Sequence, residues 1–275
     1  MLKRILVALT GTPGGITAVR HAVELAEARG ARLTGVTLIN PRKIRNVGPV
    51  PIGAGAVANE LREHRMAVAH EQMEEAIAQF RSACEASGIP HQVAVEEGDP
   101  YSHLLHLSRY HDLVAFGLHG LLAFGESSDS EGLLGTLVTS GVRPLLAITP
   151  EYRPIRRVMI AYSGSRESAK TMRRFAQIDP WPDVTVDVVT FRQPAGVGQQ
   201  LLDDAAEYCR DHGFEARTEY VDLPPRDGIL QYAREHDIDL IAMGYSVRSQ
   251  LRRKLMGETG LHVLRQTERS VFLCQ

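Results

Sequence analysis

Two short loops carry the residue types best suited to chemistry. Thr10-Gly11-Thr12 follows the apolar run Ile5-Leu6-Val7-Ala8-Leu9, and Ser163-Gly164-Ser165 follows Val158-Met159-Ile160-Ala161-Tyr162. Each sets hydroxyls around a glycine at the end of an apolar segment. Glycine lets backbone amides approach phosphate oxygens, and a helix N-terminus behind the loop adds positive potential. Two more glycine-bearing stretches stand after later apolar segments: Gly117-Leu118-His119-Gly120, and Gly244-Tyr245-Ser246 with Gly257 and Thr259 downstream. Brought together, these residues would cradle an oxyanion. The same glycines would equally serve tight strand-to-helix turns with no ligand.

Other constellations are less specific. Ser163-Gly164-Ser165-Arg166-Glu167-Ser168 resembles the S-G-G-x-D-S loop on which ATP pyrophosphatases hold pyrophosphate. Here Ser165 replaces the second glycine and Glu167 the aspartate, so the stretch reads better as a helix start capped by Ser165. An adenylating enzyme of that type is the alternative reading. His103 and His106, with His111 beyond, have helical spacing but no accompanying cysteine or carboxylate motif, and no metal is expected. Arg248, Arg252, Arg253 and Lys254 cluster beside Gly257 and could gather a phosphate or an acidic partner. No nucleophile and base pairing of any specificity is present, so no catalytic residue is assigned.

The elements that must position these loops occur twice. Asp112-Leu113-Val114-Ala115-Phe116-Gly117 matches Asp239-Leu240-Ile241-Ala242-Met243-Gly244, and Pro144–Ile148 matches Ser270–Cys274, in the same order as the first pair of loops. The chain therefore reads as two copies of one domain, 1–151 and 152–275, joined by a short proline-stiffened link. In the first copy strands are predicted at Arg4–Leu9, Arg32–Ile39, Gln92–Glu96, Leu113–Leu118 and Pro144–Ile148, with a long helix over Asn59–Ser87. In the second they fall near 156–162, 184–191, 215–221, 239–244 and 270–274. Strands alternating with helical patterns give an α/β fold: two doubly wound, five-stranded parallel sheets. A Gly/Pro-rich loop, residues 41–57, distinguishes the first copy and is expected to act as a lid or an interface.

Taken together, these stretches resemble a tandem universal stress protein of the UspA type over nearly the whole chain. The resemblance implies a Rossmann-like, adenine nucleotide alpha hydrolase-like sheet of order 3-2-1-4-5. It also implies a nucleotide crevice at the strand ends. Members that bind ATP carry G-x2-G-x9-G-[S/T] after the fourth strand and an aspartate at the end of the first. This sequence complies only in part. Gly244 and Gly257 match, Val247 replaces the middle glycine, and Glu258 stands before Thr259. Gly117 and Gly120 match, but the third glycine falls on Ser130, among Glu126, Asp129 and Glu131. Thr10 and Ser163 occupy the two aspartate positions. The candidate nucleotide-binding residues are thus Thr10, Gly11, Thr12, Gly117 and Gly120 in the first copy, and Ser163, Gly164, Ser165, Gly244, Gly257 and Thr259 in the second. At most weak ATP or AMP binding is expected, favoured in the second copy. The implied role is a non-catalytic stress-response module; a ligand-free interaction scaffold is the other alternative.

The 275 residues, 31 basic against 33 acidic, provide no electrostatic surface suited to nucleic acid or an anionic membrane. No apolar run approaches the roughly 20 residues of a spanning helix. Cys84, Cys209 and Cys274 fit neither a disulfide framework nor a metal knuckle, so a cytoplasmic protein is expected. The apolar edges Leu145–Ile148 and Val271–Cys274 are expected to pair within the chain, with homodimerisation and an unidentified protein partner as further expectations.

Overall fold

The computed structural model of the chain describes residues 1–37, 44, 46–51, 53–95, 100–118, 144–181, 183–192, 197–245 and 258–274. The strands are β1 (Arg4–Leu9), β2 (Arg32–Thr37), β3 (His91–Ala94), β4 (Leu113–Gly117), β5 (Leu145–Ile148), β6 (Arg157–Ala161), β7 (Thr185–Phe191), β8 (Glu215–Val221), β9 (Leu240–Gly244) and β10 (Ser270–Cys274). The helices are α1 (Pro13–Arg29), α2 (Gly55–Ala86), α3 (Pro100–Ser108), α4 (Arg166–Ile178), α5 (Val197–Asp211), α6 (Pro225–Glu235) and α7 (Glu258–Gln266).

All ten strands form one sheet, ordered β3-β2-β1-β4-β5-β10-β9-β6-β7-β8. From either edge inward the order within each half is 3-2-1-4-5, and every pairing inside a half is parallel. The halves join where β5 meets β10 antiparallel, Leu146 opposite Phe272. The expected pairing of the two apolar edges is therefore made within the chain.

The sheet is covered on both faces, which explains strands without polar alternation. Successive side chains of β1 still divide between two cores: Ile5, Val7 and Leu9 face one, Leu6 and Ala8 the other. The first core is closed by α1, α2, α4 and α5, through residues such as Leu25, Phe80, Phe175 and Leu202. The second is closed by α3, α6 and α7, through Leu104, Ile229 and Val263. The long helix differs from expectation at its start. It begins at Gly55, within the stretch assigned to the loop, so residues 55–57 belong to α2. Of the remaining loop, residues 44, 46–51, 53 and 54 are described.

Two histidines are built into this packing. His111 is 2% exposed, with Nδ1 2.7 Å from the Leu107 carbonyl and Nε2 2.9 Å from Thr34 Oγ1. The carbonyl requires Nδ1–H, so Thr34 donates to Nε2. This histidine, noted for its spacing from His103 and His106, is thus part of the core. His21, 1% exposed, stacks on Tyr152 of the link, whose hydroxyl donates to Glu24 at 2.7 Å. Burial pushes both imidazoles below the ordinary 6.5. The unfolded chain then takes up protons before the folded one does. Stability is full above pH 6.5 and is lost as pH falls below it, by up to ~1.4 kcal/mol per pH unit per histidine. Urea unfolding between pH 7.5 and 5 should show this decline, with a shallower slope in His111→Gln.

Candidate functional site

The two hydroxyl-glycine loops have local reasons to take the shapes they do. Gly11 and Gly164 sit at φ +64° and +70°, the left-handed region that side chains disfavour. Thr12 and Ser165 follow with extended backbone and cap α1 and α4. Thr12 Oγ1 accepts from the Gly15 amide at 3.2 Å, and Ser165 Oγ accepts from the Ser168 amide at 3.2 Å. Beyond the caps the loops diverge. Thr10 Oγ1 lies 2.8 Å from Thr12 Oγ1. In the second half Ser163, Ser165 and Ser168 form a hydroxyl trio, with oxygens 3.1–3.3 Å apart.

Around that trio the structure opens a cavity of about 360 Å³ at the carboxyl ends of β6 and β9. Of the residues singled out from the sequence, Ser163, Ser165, Gly244 and Thr259 line it. Gly164 does not; its turn packs on Leu201, 2.7 Å from where a Cβ would stand. Gly257 and the Arg248–Lys254 cluster lie outside the described residues, as does Gly120. In the first half Thr10 and Gly11 line a different cavity, about 300 Å³ of mainly apolar space between α1 and α2, and Gly117 is not part of it.

Gly117 and Gly244 have a different task. A Cβ on Gly244 would stand 2.5 Å from the Glu167 carbonyl carbon and 2.6 Å from the Ser168 amide nitrogen. One on Gly117 would stand 2.5 Å from Gly14 C and 2.6 Å from Gly15 N. Both glycines let the fourth strand of each half touch the N-terminus of its first helix. Close backbone packing, not a turn conformation, is what requires glycine at these two positions.

Pattern reading missed the walls of the 360 Å³ cavity. Phe191, Ile229, Met243 and Tyr245 supply its apolar surface, and Glu167 and Ser168 its remaining polar groups. Glu167, Ser168, Met243 and Tyr245 stand in stretches singled out from the sequence; Phe191 and Ile229 have no signal there. Tyr245 is 1% exposed and its hydroxyl has no hydrogen-bond partner. Burial pushes that phenol up to about 12, so it stays protonated and available as a donor. Among the described residues no lysine, arginine or histidine lines this cavity, and Glu167 occupies the first turn of α4. A carboxylate there offsets the positive end of the helix that a phosphate would otherwise use.

Adding a methyl where backbone packs on backbone should push α4 (at Gly244) or α1 (at Gly117) from the sheet. Gly244→Ala and Gly117→Ala are each expected to cost about 1–3 kcal/mol in urea or thermal unfolding. Gly55→Ala, where a Cβ would meet nothing within 4 Å, should be neutral or slightly stabilising.

A family model described as the universal stress protein family matches residues 1–136 and 193–275. A universal stress protein of Synechocystis sp. is 24% identical over 279 residues, covering 97% of each chain. Among solved structures, a universal stress protein from Archaeoglobus fulgidus superposes at TM-score 0.71 with 15% identity, over 99% of this chain and 96% of that one. A Pseudomonas aeruginosa chain superposes at TM-score 0.58 with 16% identity, over 99% and 93%. Two family segments in one chain and a doubled 3-2-1-4-5 sheet agree: this protein belongs to the universal stress protein family, in its tandem form.

Proposed function

We propose that the chain is a non-catalytic stress-response module whose second-half crevice takes an adenine nucleotide weakly. The supporting observation is the mixed character of the 360 Å³ cavity. Its apolar walls, the hydroxyl trio and the unpartnered Tyr245 hydroxyl suit a base and a ribose. Its polar end does not suit a polyphosphate, because Glu167 is there and no described cation is. The nucleoside part of a ligand would supply most of the affinity, and AMP would bind at least as well as ATP. The serine hydroxyls bond one another and Ser165 serves as a cap, so none is presented to a base as an activated nucleophile. This favours a binding role over adenylation.

We further propose that 1–151 and 152–275 are the two folding units, and that their pairing across β5 and β10 replaces a dimer of single-domain chains. The proposed location is the cytoplasm; no described helix is long and apolar enough to cross a membrane.

Titration calorimetry with AMP and ATP should give weak binding, with neither nucleotide below micromolar Kd. Glu167→Gln should tighten both several-fold by removing a like charge, and ATP more than AMP. Sub-micromolar ATP binding by the unaltered chain would overturn the reading. Separately produced 1–151 and 152–275 should combine into a one-to-one complex on size exclusion. Stable monomers with no mutual affinity would refute the pairing.

A further inference from the structure

A second cavity, of about 270 Å³, lies at the opposite ends of the two helices that wall the crevice. Leu230, Ala233 and Arg234 of α6 and His262 of α7 line it, with Glu268 and Arg269 from the turn into β10. That turn is fixed. Thr267 Oγ1 donates to the Arg269 carbonyl at 3.1 Å and accepts the Arg269 amide at 2.9 Å. Arg269 is therefore held at the foot of β10, next to the seam.

Its side chain is the anomaly. Arg269 is only 7% exposed, and its Nε and Nη1 are enclosed without a hydrogen-bond partner. Among the described residues it enters no ion pair; its neighbour Glu268 is exposed and leaves it unpaired. Arg234 cannot relieve it, since a guanidinium offers only donors; its own Nε donates to the Leu230 carbonyl at 3.2 Å. A buried guanidinium without a partner carries a large desolvation penalty, and such groups are normally satisfied.

The surroundings narrow what would satisfy it. α6 ends at Glu235 and α7 at Gln266, so the carbonyl ends of two helices place negative potential here. They balance part of the arginine's charge but leave its N–H groups unfilled. With Glu268 at the rim they also oppose a dianion such as phosphate. A planar monoanion that matches the guanidinium fork fits both constraints. We propose that this cavity binds the carboxylate of a small organic acid, held by Arg269. Arg234 and His262 stand at its rim, and the acid's carbon chain rests on Leu230 and Ala233. The cavity has room for only a small molecule, and the proposal is independent of nucleotide binding.

The test is thermal unfolding of the full chain in sodium butyrate, sodium phosphate and sodium chloride at matched ionic strength. Butyrate should give a saturable rise in Tm that chloride and phosphate do not. Arg269→Met should weaken that response at least tenfold while leaving the ligand-free Tm unchanged or higher, because it removes an unpaired buried charge. If Arg269→Met does not fold, Arg234→Gln should fold and weaken the response several-fold. No saturable rise in the unaltered chain, an equal or larger rise with phosphate, or a response unchanged in the foldable variant would overturn the proposal.

Discussion

The antiparallel pairing of β5 with β10 is the contact on which the rest of the architecture depends. A five-stranded parallel sheet of order 3-2-1-4-5 ends on its fifth strand. Here both fifth strands, Leu145–Ile148 and Ser270–Cys274, are apolar almost throughout. Left open, each would offer a row of unpaired backbone groups beside buried-type side chains. Pairing them removes both edges at once. The outer edges that remain, β3 and β8, carry His91 and Gln92 on one side and Glu215, Arg217 and Glu219 on the other. Polar side chains of that kind discourage further strand addition. Because the seam is antiparallel, the strands of the two halves run in opposite directions. Their carboxyl ends therefore lie at opposite ends of the sheet, and neither half can complete the other's crevice. The foot of β10, with Arg269, shares an end of the sheet with the carboxyl ends of β4 and β5.

A second constraint is the approach of the first helix of each half to its fourth strand. Gly117 against Gly14 and Gly15, and Gly244 against Glu167 and Ser168, solve the same steric problem. Glycine at these positions is required by helix-to-sheet packing and carries no information about a ligand. The informative difference lies one step further. Where the second half has Ser168 completing the hydroxyl trio, the first has Gly15, because a Cβ there would collide with the Thr10 hydroxyl. In both loops the hydroxyls bond one another, and in the second the three serines also line the 360 Å³ cavity.

The strands were legible because apolar runs bounded by glycine, proline and hydroxyl residues repeat in the same sequence twice; their order in the sheet was implied by the family resemblance. Periodicity fixes elements of this kind with little help from tertiary contacts. The start of α2 was misplaced because Gly55 is a poor helix former; four residues, Gly55 to Ala58, precede the expected start at Asn59. The site was only half legible. Ser163, Ser165, Gly244 and Thr259 lie in loops that a strand-end argument locates directly. Tyr245 directly follows Gly244 in such a loop, whereas Phe191 and Ile229 come from two other elements, and nothing in their spacing places them around the same space. Arg269 was invisible for another reason. An arginine before a final strand is unremarkable until burial and the absence of any partner are both known.

The two cavities of the second half are not separate accidents of packing. Pro225 and Ile229 near the start of α6, and Thr259 and Gly260 near the start of α7, wall the crevice. Leu230, Ala233 and Arg234 further along α6, and His262 on α7, wall the cavity around Arg269. The helices are about 16 and 13 Å long at 1.5 Å per residue. Val263 and Leu264, both fully buried, pin the middle of α7 to the sheet. His262 lies on the same side of that anchor as Thr259 and Gly260, within one turn of helix, so a shift at His262 would carry them with it. On the two proposals above, a carboxylate drawing Arg269 and His262 together would act on the position of Thr259 and Gly260. Linkage makes the effect reciprocal, so a nucleotide in the crevice would change the affinity of the lower cavity by the same factor. On these proposals the coupling would run through two short helices of one half, over the sheet joined at β10.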